Sequence, residues 1–207
     1  MSNIKAVLFD MDGVLIDARE WHYEALNEVL RIFGYEITRA MHEDRFDGLS
    51  TSKKLEMLTK EVGLPQHIHG MINRIKQDRT LRIAASKCFP NIAHQVLISK
   101  LKKQGFKVGV VTNSIRQTTE FMLTYAGLFE LLDVVVTNQD IDKPKPNPDG
   151  YQFAMQKLDV LPSETLIVED SPYGVAAGKA SGAKVVEVNS VTDVGIDLFY
   201  DLIPEIF

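Results

Sequence analysis

Five short apolar runs, set between stretches of helical periodicity, constrain this chain more than any other feature. Ile4–Phe9 is mostly apolar and is stopped by Asp10. A run without polar alternation reads as a strand buried on both faces, as in a parallel sheet. Lys107–Val111, Val134–Val136, Thr165–Val168 and Lys184–Val188 have the same character. Helical patterns lie between them. Val96, Leu97 and Leu101 lead through Gly105 into the second run, and a helix is predicted from Arg116 to Ala126. Tyr151, Ala154, Met155 and Leu158 recur at i, i+3, i+4 and i+7, and a further helix is predicted over Gly174–Ser181. Such alternation predicts an α/β fold with a doubly wound parallel sheet.

One long stretch interrupts that pattern. Between the first and second runs, residues 17–86 contain no convincing strand. Trp21, Ala25, Val29 and Ile32 fall at helical spacing before Gly34; Leu55, Leu58 and Val62 do so before Gly63 and Pro65. Met71, Ile72 and Ile75 mark another helix. The expected organisation is an α/β core of residues 1–16 and 87–207 with an inserted helical domain of residues 17–86. A closing helix with loops is expected within 190–207.

Composition narrows the function. The 207 residues carry a formal charge of −5, which disfavours a general nucleic-acid binder. No apolar run approaches the roughly 18 residues that a membrane span needs. The first residues lack the ordered charged, apolar and small-residue regions of a secretory leader. The single cysteine, Cys88, cannot form an internal disulfide and reads as a packing residue. A soluble, cytoplasmic protein is expected, without nucleic-acid or membrane partners. The helical stretch is neutral, so the whole negative excess belongs to the α/β part.

In open α/β sheets, ligands bind just beyond the carboxyl ends of the strands. The first strand ends in Asp10-Met11-Asp12-Gly13 and the second in Thr112-Asn113-Ser114. The third leads to Asp142-Lys143-Pro144-Lys145-Pro146, and the fourth ends in Glu169-Asp170-Ser171. Carboxylates gathered this closely repel one another unless a cation sits among them, and hard oxygen ligands suit Mg²⁺. A carboxylate there can act as a nucleophile toward phosphorus, and a second one two residues on can move the protons. A Thr hydroxyl, backbone amides and a Lys can neutralise the equatorial oxygens.

Four segments together resemble the motifs of the haloacid dehalogenase-like hydrolase superfamily, in order and at the matching strand ends. They are Phe9–Leu15, Val110–Ser114, Lys143-Pro144-Lys145-Pro146-Asn147-Pro148 and Val168–Gly174. The resemblance covers essentially the whole chain. It implies a Rossmann-like core, and the helical insertion looks like the family's small cap. Asp10 would be the nucleophile and a metal ligand, and Asp12 the general acid/base whose backbone carbonyl also touches the metal. Thr112 and the Asn113 backbone would hold the phosphoryl oxygens, with Ser114 beside them. Glu169 and Asp170 would complete the Mg²⁺ shell. Lys143 would neutralise charge, because the family lysine opens a Lys-Pro-x-Pro pattern; Lys145 is the near-miss.

The cap is expected to choose the substrate. His22 follows Asp12 by ten positions, as a histidine does in the family's β-phosphoglucomutases. Arg45, Gly48, Leu49 and Ser50 resemble the mutases' substrate-reading loop, and Lys76 could match a cap lysine. However, Thr51 stands where the mutases carry a phosphate-binding arginine, and Ala18 where they tend to have a hydroxyl residue. The resemblance therefore implies a monomeric, Mg²⁺-dependent phosphatase for a small phosphorylated metabolite such as a sugar phosphate. A phosphosugar mutase is the alternative.

Overall fold

The computed structural model describes residues 4–200 and 202–203. Five parallel strands form one sheet in the order β3-β2-β1-β4-β5. They are β1 (Ala6–Phe9), β2 (Lys107–Val111), β3 (Val134–Val136), β4 (Thr165–Glu169) and β5 (Lys184–Glu187). The chain begins at the centre and winds outward in both directions, which is the doubly wound arrangement. Every residue of β1 and β4 is buried, as their unbroken apolar runs require. The strand register places Phe9 beside Val110 and Val168, so the three central strands end together on one edge.

The observed strands match the five apolar runs to within a residue or two. Helices α5 (Ile92–Lys103), α6 (Arg116–Tyr125), α7 (Asp149–Leu158) and α8 (Pro172–Ala180) connect them. On one face Val7, Phe9, Val110, Leu166 and Val168 pack with Leu97, Leu101, Met122 and Leu123. On the other, Ala6, Leu8, Val111 and Ile167 pack with Tyr151, Ala154, Met155 and Ala177. The predicted closing helix is the short Ile196–Tyr200; Asp201 and residues 204–207 of that expectation lie outside the described residues.

Between β1 and β2 the named elements among the described residues are all helical. The main ones are α1 (Arg19–Ile32), α3 (Thr51–Val62) and α4 (His69–Lys87). A short turn, α2 (Arg39–Met41), runs into a π-helical turn at His42–Phe46. These elements bury a core of their own, made by Leu26, Val29, Leu30, Ile37, Phe46, Leu55, Leu58, Leu64 and Ile72. Burying one such Leu, Ile or Phe contributes roughly 1.5–3 kcal/mol, enough for several to hold short helices together. Asn27 staples the loop to α1 by giving and receiving a 2.9 Å hydrogen bond with the backbone of Ile37. Cys88 lies where α4 meets the sheet layer, its thiol 3.5 Å from the Met122 carbonyl, and burial pushes it up to about 11.

Candidate active site

The site is assembled at the carboxyl edge of the sheet. Asp10 follows β1, Thr112 follows β2, Lys145 lies in the loop after β3, and Glu169 and Asp170 close β4. After Asp10 the chain turns sharply: Gly13 adopts φ +93° and donates its amide to the Ile16 carbonyl at 2.7 Å. A side chain there would collide with Asp170, since a Cβ would lie 2.0 Å from its Oδ2. The turn and the close approach both require glycine.

Lys145 is the hub of the cluster. Its ammonium donates to Asp10 Oδ1 at 2.6 Å, to Glu169 Oε1 at 2.5 Å and to the Val111 carbonyl at 2.8 Å. Three donors meet three acceptors, so the charge is held in one place. Burial opposes that charge, but the Asp10 and Glu169 carboxylates outweigh it and raise the Lys145 pKa. Tyr151 reinforces the arrangement. Its hydroxyl donates to Glu169 Oε1 at 2.6 Å, and its ring lies 4.8 Å from the Lys145 nitrogen. Burial and the Glu169 charge raise the Tyr151 pKa, which keeps it a donor.

This corrects the expectation for Lys143. That residue is exposed, whereas Lys145 is 5% exposed and sits among the carboxylates. The local sequence reads Lys-Pro-Lys-Pro-Asn-Pro, so the Lys-Pro-x-Pro pattern fits at two positions. Asn113 selects the second. It accepts the Lys145 amide at 3.0 Å and donates to the Lys145 carbonyl at 3.2 Å, fixing the loop so that this side chain enters the site.

Asp10, Glu169 and Asp170 can each place a carboxylate oxygen within 4.8 Å of the others. Burial, and then the other three carboxylates, raise the Asp10 pKa against the pull of Lys145. Burial also lifts Asp170 to about 6, opposed by Arg19. Asp170 Oδ1 is buried and has no hydrogen-bond partner among the described residues. An orphaned oxygen beside two further hard oxygen donors fits a divalent cation. Glu169 is more fully engaged: its Oε2 already faces the amides of Asp170 and Ser171 at 3.1 and 3.4 Å. The Asp12 side chain lies outside this group.

Asp12 faces the helical layer instead. Ser114 Oγ donates to Asp12 Oδ2 at 2.8 Å, and His22 Nε2 lies 3.1 Å from Asp12 Oδ1. His22 Nδ1 is in turn 2.9 Å from the Lys76 ammonium. Burial raises the Asp12 pKa, but His22 and Ser114 outweigh it and the net shift is downward. Burial and Lys76 lower the His22 pKa. Thr112 Oγ accepts the Ser114 amide at 3.0 Å, so its own proton is free for a ligand. Ser114 serves these contacts rather than capping a helix, since α6 has no side-chain cap.

The two layers meet at Gly48. Its carbonyl accepts from Asn113 Nδ2 at 2.8 Å, and a Cβ there would stand 2.8 Å from Ser171 Oγ. Its φ of +74° also favours glycine. The sequence reading missed Arg19, whose Nε donates to Asp170 Oδ2 at 2.8 Å and lies 3.4 Å from Asp47. It also missed Lys54 and the polar role of Tyr151, which shows in the pattern only as an apolar helix position. No sequence signal marks Arg19, because an arginine in the first turn of a helix ordinarily points to water.

Gly174 owes its place to the same cluster. A Cβ there would overlap the Glu169 carboxylate, 1.8 Å from Oε1. In an unconstrained helix Gly→Ala gains up to about 1 kcal/mol. Here Gly174→Ala is expected to lower unfolding free energy by about 1–3 kcal/mol, because Glu169 is anchored and overpacking wins. Denaturant titration beside wild type checks the sign.

The cleft between the layers is lined by Asp10, Asp12, His22, Thr112, Lys145 and Asp170 with residues of the helical segment. Residues 7–188 match the haloacid dehalogenase-like hydrolase family. Pyrophosphatase PpaX of Bacillus mycoides is 32% identical over 200 residues, spanning 90% of this chain and 84% of that protein. The crystal structure of CbbY from Rhodobacter sphaeroides in complex with phosphate aligns with a TM-score of 0.79 and 26% identity, covering 89% of this chain and 85% of that one. β-Phosphoglucomutase from Clostridium difficile aligns with a TM-score of 0.83 over 96% of both chains; at 19% identity it is similar in fold alone.

Proposed function

Because the chain belongs to the haloacid dehalogenase-like hydrolase family, we propose that it is a phosphatase for a small phosphomonoester, working through an aspartyl-phosphate on Asp10. The observation that carries this reading is the buried hub of Lys145 between Asp10 and Glu169, opening onto the cleft beside Asp12 and Thr112. The names of the relatives, a pyrophosphatase and a protein crystallised with phosphate, support phosphoryl chemistry.

In the first half-reaction an Asp10 oxygen attacks phosphorus and the bond to the leaving oxygen breaks. Asp12 delivers a proton to that oxygen. The Thr112 hydroxyl and the amides of the strand-end loop hold the equatorial oxygens, and Lys145 balances the charge gathered on Asp10. In the second, Asp12 takes a proton from water, whose oxygen attacks phosphorus and breaks the bond to Asp10. Asp12's lowered pKa suits this second task. For the first it must be loaded with a proton, and His22, bridging it to Lys76, is the neighbour placed to exchange one. Asp10, Asp170 and the Asp12 carbonyl would hold Mg²⁺, with Glu169 anchoring Lys145 beside them. Such an ion supplies charge neutralisation for an anionic substrate.

Helices α1–α4 would form a cap over the cleft, with residues 17–86 as the cap domain and 1–16 and 87–207 as the core. A soluble monomer in the cytoplasm is the proposed setting. Among the described residues no helix is long and apolar enough to cross a membrane. Phosphate release from a panel of phosphorylated sugars and small acids tests the reading. Chelation with EDTA is expected to abolish release, and added Mg²⁺ to restore it. Stoichiometric isomerisation without free phosphate would make the mutase the correct reading.

A further inference from the structure

The three carboxylates that fit a cation are not held in the same way. Asp10 and Glu169 are anchored from the sheet layer, both by the Lys145 ammonium and Glu169 also by the Tyr151 hydroxyl. Asp170 is anchored from the helical segment. Its side chain is 2% exposed, and among the described residues Arg19, in the first turn of α1, is the one side chain that donates to it. Arg19 Nε and Nη2 converge on Oδ2, the first at 2.8 Å, while Oδ1 stays buried without a partner. The guanidinium is clamped from its other side too, with Nε 3.4 Å from Asp47 Oδ2. Asp47 precedes Gly48, whose carbonyl Asn113 holds. Arg19 therefore stands between an acid of the sheet edge and an acid of the helical layer.

This arrangement fixes an orientation. The last torsion of an aspartate is broad, so an unheld carboxylate presents its oxygens over a wide range of angles. A small divalent cation such as Mg²⁺ tolerates little departure from its coordination geometry. A planar guanidinium delivering two N–H groups to one oxygen reserves that oxygen and sets the other apart as the donor. The fold leaves room for the pair: a Cβ at Gly13 would lie 2.0 Å from Asp170 Oδ2 and 2.5 Å from Arg19 Nε. Repulsion between the guanidinium and a bound cation works the other way. It is reduced because the Arg19 side chain is 34% exposed and Asp47 offsets its charge. Orientation of a ligand by its outer partner is worth about 10–100-fold in metal affinity, and it is the larger effect here.

We propose that Arg19 is a positioning residue for metal binding: it holds Asp170 so that Oδ1 is free to ligate the cation, and so makes cation affinity depend on the seating of the helical layer over the sheet edge. The inference rests on the cation proposed above for this cluster.

Calorimetric titration of Mg²⁺ into the substrate-free protein tests it, and the readout stands whether or not a substrate has been found. Arg19→Gln is expected to weaken Mg²⁺ binding by about 10–100-fold. Arg19→Lys keeps one charged donor without the fork and should recover part of that loss. A circular dichroism spectrum shows that each variant is folded. Affinity unchanged or tightened in Arg19→Gln overturns the inference, because the guanidinium would then act only as a repelling charge. Should that variant not fold, Arg19→Lys decides in its place: weaker binding than wild type supports the inference, and equal or tighter binding overturns it. Absence of Mg²⁺ binding by wild type overturns the proposed metal itself, and the inference with it.

Discussion

Lys145→Met should lose turnover by about a thousandfold, with Lys143→Ala close to wild type. The magnitude follows from removing a fixed positive charge at the point where charge develops, worth about 10²–10³ or slightly more in a water-poor site. The same substitution should cost about 3–5 kcal/mol of stability, because it leaves Asp10 beside Glu169 with no cation between them. Methionine nearly matches the lysine stem in volume, so a cavity is not the cause. The pH dependence separates charge from packing. Without Lys145, burial and the neighbouring carboxylates act on Asp10 unopposed and raise its folded-state pKa further. A carboxyl with a raised folded pKa favours the folded state when protonated, and destabilises it as pH rises above the unfolded value. The deficit of Lys145→Met relative to wild type should therefore shrink as pH falls from 8 toward 5. Urea melts at several pH values measure it; a deficit independent of pH would indicate lost packing instead. Lys143 is exposed, so its removal touches neither quantity.

The larger loss is expected for Asp10→Asn: about four to six powers of ten in phosphate release, on the scale seen when a nucleophile is removed. Asparagine keeps the shape and can still accept from Lys145, which also retains Glu169 and the Val111 carbonyl. The fold should persist, shown by an unchanged circular dichroism spectrum. Wild type quenched during turnover should carry one phosphoryl group labile to hydroxylamine, as an acyl-phosphate is, and the variant none. Undiminished turnover in Asp10→Asn would refute the assigned nucleophile.

Much of this architecture could be read from local pattern. A strand buried on both faces has no polar alternation, so β1, β2 and β4 declared themselves as apolar runs. The parallel connections then force their carboxyl ends onto one edge, and Asp10, Thr112, Glu169 and Asp170 had to converge there. The helical content of residues 17–86 was equally legible, because Leu55, Leu58 and their like recur at the helical period.

Tertiary structure decided what periodicity does not encode. Lys143 and Lys145 are equivalent by residue type and by pattern. The pair of hydrogen bonds that Asn113, 32 residues away in the chain, exchanges with the Lys145 backbone, and the contacts of the Lys145 ammonium with Asp10 and Glu169, distinguish them. Tyr151 reads as one more apolar helix position until its hydroxyl is seen on Glu169. Arg19 and Lys54 read as ordinary surface residues in a helical pattern, and they join Lys76, which the resemblance to a cap lysine had singled out, along the cleft only because the helical layer folds down over the sheet edge. Local sequence thus determined which carboxylates would meet, since strand ends and chain direction are local properties. Which cations meet them depends on long-range packing between elements far apart in the chain, and that is a property of the folded molecule alone.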